Sequence, residues 1–233
     1  DAYGNRVEDG TPVTFTTHLE AEIEPLVGAT VRGVVEAIIR GDEAGQGVVT
    51  ATTVGGVKGT AELTVTHGAP EVLGLTALPT SIVADGADEA VITATLVDGC
   101  GNGVPGVEVL FGTSLGSLDV PLSSLSSGSV VTGTTNALGQ ITVLLTGTEA
   151  GGAIITATVD GLTDTVGVTL TAGPPDALTV ALGADLIACG VTTTVEADVR
   201  DAYGNRVEDG TPVTFTTDLE AEIDPLVEIG RAS

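Results

Sequence analysis

Two cysteines, two histidines and a recurring acidic turn are the residues of this chain whose chemistry stands out. The acidic turn reads D-x-x-G-N and occurs at residues 1–5, as Asp98 to Asn102 and as Asp201 to Asn205. A second acidic stretch, ADGADE, carries Asp85, Asp88 and Glu89. Oxygens at such spacing suit two tasks. They can accept hydrogen bonds from nearby backbone N–H groups and so hold a turn. They can also join a Ca2+ shell, which takes roughly six to eight oxygens. Asp85, Asp88, Asp98, Asn102, Asp201 and Asn205 are therefore the Ca2+ candidates. No DxDxDG loop is present, and turn chemistry is the favoured reading. No other cofactor is expected.

The remaining groups offer no reaction. His18 and His67 stand alone, and Asp218 occupies the place of His18 in a second copy of its motif. A general base needs a positioned partner, and none is suggested. The serines at 123–129 sit in no GxSxG elbow and no Ser/His/Asp order. No glycine-rich stretch leads into a helix, so no phosphate cradle is expected. No catalytic residue is assigned, and the expectation is a non-enzyme.

Composition narrows the partners. The net charge is −25, and Lys58 is the only lysine among 233 residues. Such a surface does not bind nucleic acid or anionic lipid through a basic patch. Solubility by mutual repulsion is one reading of the charge, and adaptation to high salt is the other. No apolar run reaches the roughly 20 residues needed to span a bilayer. No signal peptide is visible. The chain opens inside a motif, so a preceding portion is expected and this absence says little about export.

That motif organises the chain. Residues 1–27 return at 201–227 with two changes, His18 to Asp218 and Glu24 to Asp224. A weaker copy, DGCGNGVPGVEVLF (98–111), pairs Val13 with Val109 and Phe15 with Phe111. DEAGQGVVTATTVGG (42–56) matches TEAGGAIITATVDGL (148–162), and 78–99 matches 182–202. The echoes define a unit of about 100 residues, a common domain size. In that frame 1–69 is the C-terminal part of one module, 72–173 a complete module, and 176–227 the N-terminal part of a third. HGAPE (67–71) and AGPPD (172–176) are the joints. The tail EIGRAS (228–233) departs from the first copy and is a candidate non-native tail.

The units are made of strands. In 89–97 Ala90, Ile92, Ala94 and Leu96 alternate with Thr93, Thr95 and Val97. Val195, Ala197 and Val199 alternate with Glu196, Asp198 and Arg200. A period of two marks a half-buried strand. TPVTFTT turns Val13 and Phe15 inward, and GAIITATVD does the same with Ile155, Ala157 and Val159. With turn signals between short strands, the expected fold is all-β, a sandwich of two antiparallel sheets. Strands are expected near 73–78, 81–84, 89–97, 105–112, 128–134, 139–146, 152–159 and 164–171. SLDVPLSSLSSGS (117–129) has no firm pattern and is expected to be a loop or an irregular edge.

These residues also resemble a known family. ADG (84–86), D-x-x-GN (98–102) with VPG (104–106), NALGQ (136–140) and EAGGAIITATV (149–159) are similar to bacterial Ig-like domains of group 1, the tandem modules of invasin- and intimin-type surface proteins. The middle copy departs in having Cys100 where the flanking copies have Tyr3 and Tyr203, and in its long 117–129 segment. The resemblance implies tandem immunoglobulin-like sandwiches, one complete and two partial, in an extracellular, cell-surface stalk or fibre. An adhesin that grips a host protein or glycan through exposed loops is the alternative, and an accessory region of an enzyme is a third.

The implied sandwich has its two chain ends at opposite poles. Cys189 then lies in a turn at the exit pole and Cys100 in a turn at the opposite one. A disulfide between them is implied only across a joint of a longer array or between molecules, in an oxidising compartment. Two free thiols are the other outcome. The two partial modules together hold a full strand set at opposite poles of the middle one. Head-to-tail self-association, giving filaments or rings, is therefore expected. The copies 1–27 and 201–227 would then compete for one set of positions.

Overall fold

The computed structural model describes residues 5–121, 127–219 and 227–228. Every regular element among them is a strand, as the β-branched, Thr/Val-rich alternation requires. The expected positions Tyr3, 122–126, 220–226 and 229–233 lie outside the described residues.

The N-terminal region has six strands: β1 (Pro12–Thr17), β2 (Ala21–Glu24), β3 (Val27–Ala29), β4 (Ile38–Gly41), β5 (Gly45–Thr53) and β6 (Lys58–Val65). Four form an antiparallel sheet in the order β3-β1-β5-β6, and β2 pairs with β4 separately. Register follows the side-chain alternation. Thr14 lies opposite Thr52 and Thr16 opposite Thr50 on one face, while Val13 on the other face is buried.

Residues 70–171 carry two five-stranded sheets. Their strands are β7 (Pro70–Leu78), β8 (Ser81–Val83), β9 (Ala90–Asp98), β10 (Glu108–Thr113), β11 (Ser117–Asp119), β12 (Ser127–Gly128), β13 (Val130–Thr134), β14 (Gln140–Thr146), β15 (Gly151–Val159) and β16 (Leu162–Thr171). One sheet runs β12-β11-β14-β9-β7 and the other β13-β10-β15-β16-β8. The short β8 joins β16 in parallel. Ala90, Ile92, Ala94 and Leu96 are fully buried, as are Val109, Phe111, Val143, Leu145, Ile155 and Ala157. Burying each larger side chain contributes roughly 1.5–3 kcal/mol. This is the immunoglobulin-like sandwich, with the inner faces of both sheets supplying the core.

All eight strands expected in this region are present, with ends shifted by a few residues. Of the stretch 117–129, expected as a loop or an irregular edge, the described residues include two short strands at the edge of their sheet, β11 and β12. Ser117–Asp119 pairs with β14, placing Leu118 opposite Leu145. Leu118 and Val120 are both buried. Leu118 is the one apolar residue of this three-residue strand, so no alternation marked it in the sequence.

The C-terminal region holds the pair β17 (Ala177–Leu182) and β18 (Val195–Arg200), and the pair β19 (Val213–Thr214) and β20 (Val227–Glu228). By contacts the chain forms two compact units. One comprises the chain up to Val72 with Thr95–Val107 and Thr135–Gln140; the other comprises Leu73–Ala94, Glu108–Thr134 and the chain from Ile141 on. The first joint therefore lies inside one unit, together with the Asp98–Asn102 turn. The second joint lies inside the other, together with the Asp201–Asn205 turn.

Candidate functional site

The D-x-x-G-N turns at 98–102 and 201–205 form the site. Each closes on itself first. Asp98 N–H donates to the Asn102 carbonyl at 2.9 Å, and Gly101 N–H to the Asp98 carbonyl at 3.0 Å. Gly101 has φ +88, and so does Gly204 in the matching turn; glycine adopts this left-handed geometry without steric cost. Asp98 Oδ1 accepts the N–H groups of Cys100 and Asn102 at 2.9 and 2.8 Å. Asp201 Oδ1 accepts those of Tyr203 and Asn205 at 2.9 and 2.8 Å. This much is ordinary Asx-turn chemistry.

The free side of each turn grips the preceding segment. Asp98 Oδ2 accepts the N–H of Gly68, in the joint HGAPE, at 2.6 Å. Asn102 Nδ2 donates to the Asp42 carbonyl at 2.8 Å, and Ala44 N–H donates to Asn102 Oδ1 at 2.7 Å. The second joint repeats every contact. Asp201 Oδ2 accepts from Gly173 N–H at 2.9 Å. Asn205 Nδ2 donates to the Thr148 carbonyl at 2.9 Å, and Ala150 N–H donates to Asn205 Oδ1 at 2.8 Å. The amide suits this place because it presents a donor and an acceptor side by side, matching one carbonyl and one N–H of the turn it meets.

Electrostatics agree with the geometry. Asp98 is 4% exposed and Asp201 3%. The Gly68 N–H, helped by the Asn102 amide and the turn N–H groups, holds the Asp98 carboxyl down to about 2 against the opposing effect of burial. Burial pushes Asp201 up. The Asn205 amide and the N–H groups of Gly173, Asn205 and Tyr203 outweigh it, so this carboxyl too lies below its ordinary value. A carboxylate that accepts several backbone N–H groups is stabilised in its charged form.

The Ca2+ candidates fall into separate turns. Asp85 Oδ1 accepts the N–H groups of Ala87 and Asp88, both at 2.8 Å, and these bonds lower its pKa, that of Asp88 foremost. Asp88 Oδ2 accepts from Val83 N–H at 2.9 Å. Among the described residues no three His, Cys, Asp or Glu converge as a metal site. The oxygens of Asp98, Asn102, Asp201 and Asn205 point at N–H donors. Cys100 and Cys189 are exposed and unbridged. His67 is half-buried, its Nδ1 2.9 Å from the Gly68 carbonyl.

Sequence reading found the turns but missed their reach, and it missed a threonine pair. Thr135 is buried; its hydroxyl donates to the Val104 carbonyl and accepts from Val107 N–H. Thr30 is buried in the same way, donating to Glu8 and accepting from Thr11 N–H. Each satisfied hydroxyl pins the segment that leads into β10 or β1. Nothing in the local sequence distinguishes these threonines from the many on exposed faces.

Residues 72–171 match the bacterial Ig-like domain (group 1). This segment is a bacterial Ig-like domain. Among solved structures, invasin, a bacterial integrin-binding protein, is 28% identical over 86% of the chain, with a TM-score of 0.52. InvD of Yersinia pseudotuberculosis (23% identical, 90% of the chain, TM-score 0.57) and the Escherichia coli adhesin FdeC (20%, 91%, 0.57) share the fold. The chain spans 41% of the invasin structure, 65% of that of InvD and 70% of that of FdeC. No curated protein sequence matches it significantly.

Proposed function

We propose that this chain is a non-catalytic segment of a bacterial cell-surface stalk, built from the modules 1–69, 72–173 and 176–227. The observation that carries this reading is the joint. Asp98 with Asn102, and Asp201 with Asn205, tie each Ig-like unit to the turn and linker of the one before it through matching bonds. A linker alone gives a hinge. A buried carboxylate and amide with their partners satisfied resist bending, because opening the joint exposes them one bond short until water enters. Invasin binds integrin and FdeC is an adhesin; the role proposed here is the spacer in such a protein, which holds a binding tip away from the cell. Small-angle scattering of the 233-residue protein and its Asn102→Ala, Asn205→Ala double variant tests it. The stalk reading expects a longer, stiffer particle for the unaltered chain; equal flexibility in both removes its support.

The reading extends to self-association. In the complete sandwich β14 lies between β11 and β9, and β9 carries β7 on its far side. By the repeats, β2 and β4 correspond to β11 and β14, and β17 and β18 to β7 and β9. The N-terminal half therefore lacks the strands that the C-terminal half holds. Joining the open edge of β4 to that of β18 in a second copy gives the order β2-β4-β18-β17, the arrangement of the complete sheet. Leu178, Val180 and Leu182, more than half exposed, would then be covered. Sedimentation velocity under reducing conditions tests this: association that grows with concentration is expected, and a strict monomer overturns it.

A further inference from the structure

A cleft of about 400 Å3 opens at the first joint, lined by Gly41, Val65, Gly68 and Cys100 among others. The matching positions at the second joint are Gly147, Leu170, Gly173 and Tyr203; Leu170 is buried there, Gly147 and Gly173 are half-buried, and Tyr203 stays exposed at the rim. The turn after β8 does the covering. Ala84 N–H donates to the Thr171 carbonyl at 2.7 Å, and Gly86 N–H to the Gly147 carbonyl at 2.9 Å. A β-carbon on Gly173 would lie 3.8 Å from Val83 Cγ1, and one on Gly86 would lie 3.9 Å from Tyr203 Oη. Leu170 beneath is 2% exposed.

Residues 5–69 contain no equivalent of that turn. The equivalent elsewhere in the chain is Ile187-Ala188-Cys189-Gly190, which aligns with Val83-Ala84-Asp85-Gly86. Both stretches turn at a glycine of positive φ, +75 at Gly86 and +79 at Gly190. Cys189 therefore immediately precedes the glycine whose counterpart faces Tyr203. Cys100 holds the place of Tyr203: its N–H donates to Oδ1 of Asp98 at 2.9 Å, as the N–H of Tyr203 does to Oδ1 of Asp201. The chain's two cysteines thus occupy one position in the turn that covers such a joint, next to the glycine that faces Tyr203, and the Tyr203 position itself.

We infer that Cys189 of one copy forms a disulfide with Cys100 of a second copy when β17 and β18 of the first complete the second copy's N-terminal half sandwich. The inference rests on the head-to-tail completion proposed above. The incoming turn fills the cleft, with Gly190 N–H donating to the Gly41 carbonyl. A disulfide needs α-carbons within about 7 Å. At the second joint a long tyrosine ring reaches the turn; two short cysteine side chains need the turn to sit closer, so the bridged joint is the tighter one. The oxidant is a small-molecule disulfide such as oxidised glutathione. One cysteine thiolate attacks it, forming a mixed disulfide and releasing one thiol. The other cysteine thiolate attacks the mixed disulfide at the protein sulfur and releases a second thiol. The two protons lost by the cysteines end on the two released thiols.

The test uses the 233-residue protein with oxidised glutathione, read by non-reducing denaturing electrophoresis and peptide mapping. Covalent dimers and larger species linked only as Cys100–Cys189 are expected. Cys100→Ser alone and Cys189→Ser alone should remain monomeric on the gel. Their equimolar mixture should give a covalent dimer and nothing larger, since one thiol of each type remains. Dimers formed by either variant alone, as readily as by the mixture, would mean random collision of exposed thiols and overturn the inference. Association under reducing conditions without cross-linking under oxidising ones overturns the disulfide and leaves head-to-tail completion standing. Absence of both overturns both.

Discussion

Equivalent strands behave differently in the complete sandwich and in the C-terminal half. Leu73 is 9% exposed in β7, whereas its counterpart Leu178 in β17 is 51% exposed. Ile92 and Leu96 of β9 are fully buried, while Val195 and Val199 of β18 remain half-buried. Phe111 has no exposed surface; Phe15 and Phe215, at the same place in their copies, are only half-buried. The strands form in all three regions, because alternation and backbone pairing are local to a sheet. Core burial is not local. It needs the facing sheet, and a period of two says which side is apolar without saying whether anything lies against it.

The largest test of this contrast is one substitution made at matching places. Phe111→Ala should cost about 3–5 kcal/mol, as truncation of a fully buried aromatic does. Phe215→Ala in the same chain should cost under about 1 kcal/mol, since that ring gives up little burial. Urea unfolding of the two variants measures both, and similar costs would erase the distinction between complete and partial regions. If oxidised, cross-linked protein is used instead, Phe15→Ala should become more costly than in the reduced monomer, because the completed half then buries its ring.

The joints offer a smaller effect. Asn102→Ala removes the amide bonds to Asp42 and Ala44 and should cost about 1–2 kcal/mol, with earlier hydrogen exchange of Ala44 and Gly68. Asn102→Asp should do no better: it keeps the acceptor for Ala44 N–H but loses the donor to Asp42, and it sets a second carboxylate beside Asp98.

Acid should loosen the same joint. Asp98 is held at about 2 in the folded protein, below its ordinary 3.8. A depressed carboxyl contributes stability that is present above the unfolded value and is lost as pH falls through the folded one. Stability should therefore decline from about pH 4 towards pH 2, and Asp98→Asn should flatten that limb while lowering stability at neutral pH. Asp201 and Asp85 shift in the same direction and add to the decline. The smallest expected effect is that of calcium. The candidate oxygens accept N–H bonds in separate turns, so millimolar Ca2+ or a chelator should leave the melting temperature unchanged; a clear rise with Ca2+ would show that the turns rearrange to bind it.

Much of the architecture was legible in the sequence. The alternation in EAVITATLV and GAIITATV marked strands that the structure contains. Turn chemistry was also legible, because D-x-x-G-N carries its own acceptors and its own glycine. The strand at Ser117–Asp119 was not, since a single buried Leu118 between Ser117 and Asp119 has no period to display. Tertiary structure alone decided that Asp98 and Asn102 hold Gly68, Asp42 and Ala44. Those partners lie 30 to 60 residues away in sequence, and no pattern along the chain encodes which backbone groups a folded turn will face. The same limit governs the threonines: Thr30 and Thr135 read like the exposed threonines around them, and only the loops that close over them turn their hydroxyls into buried ties.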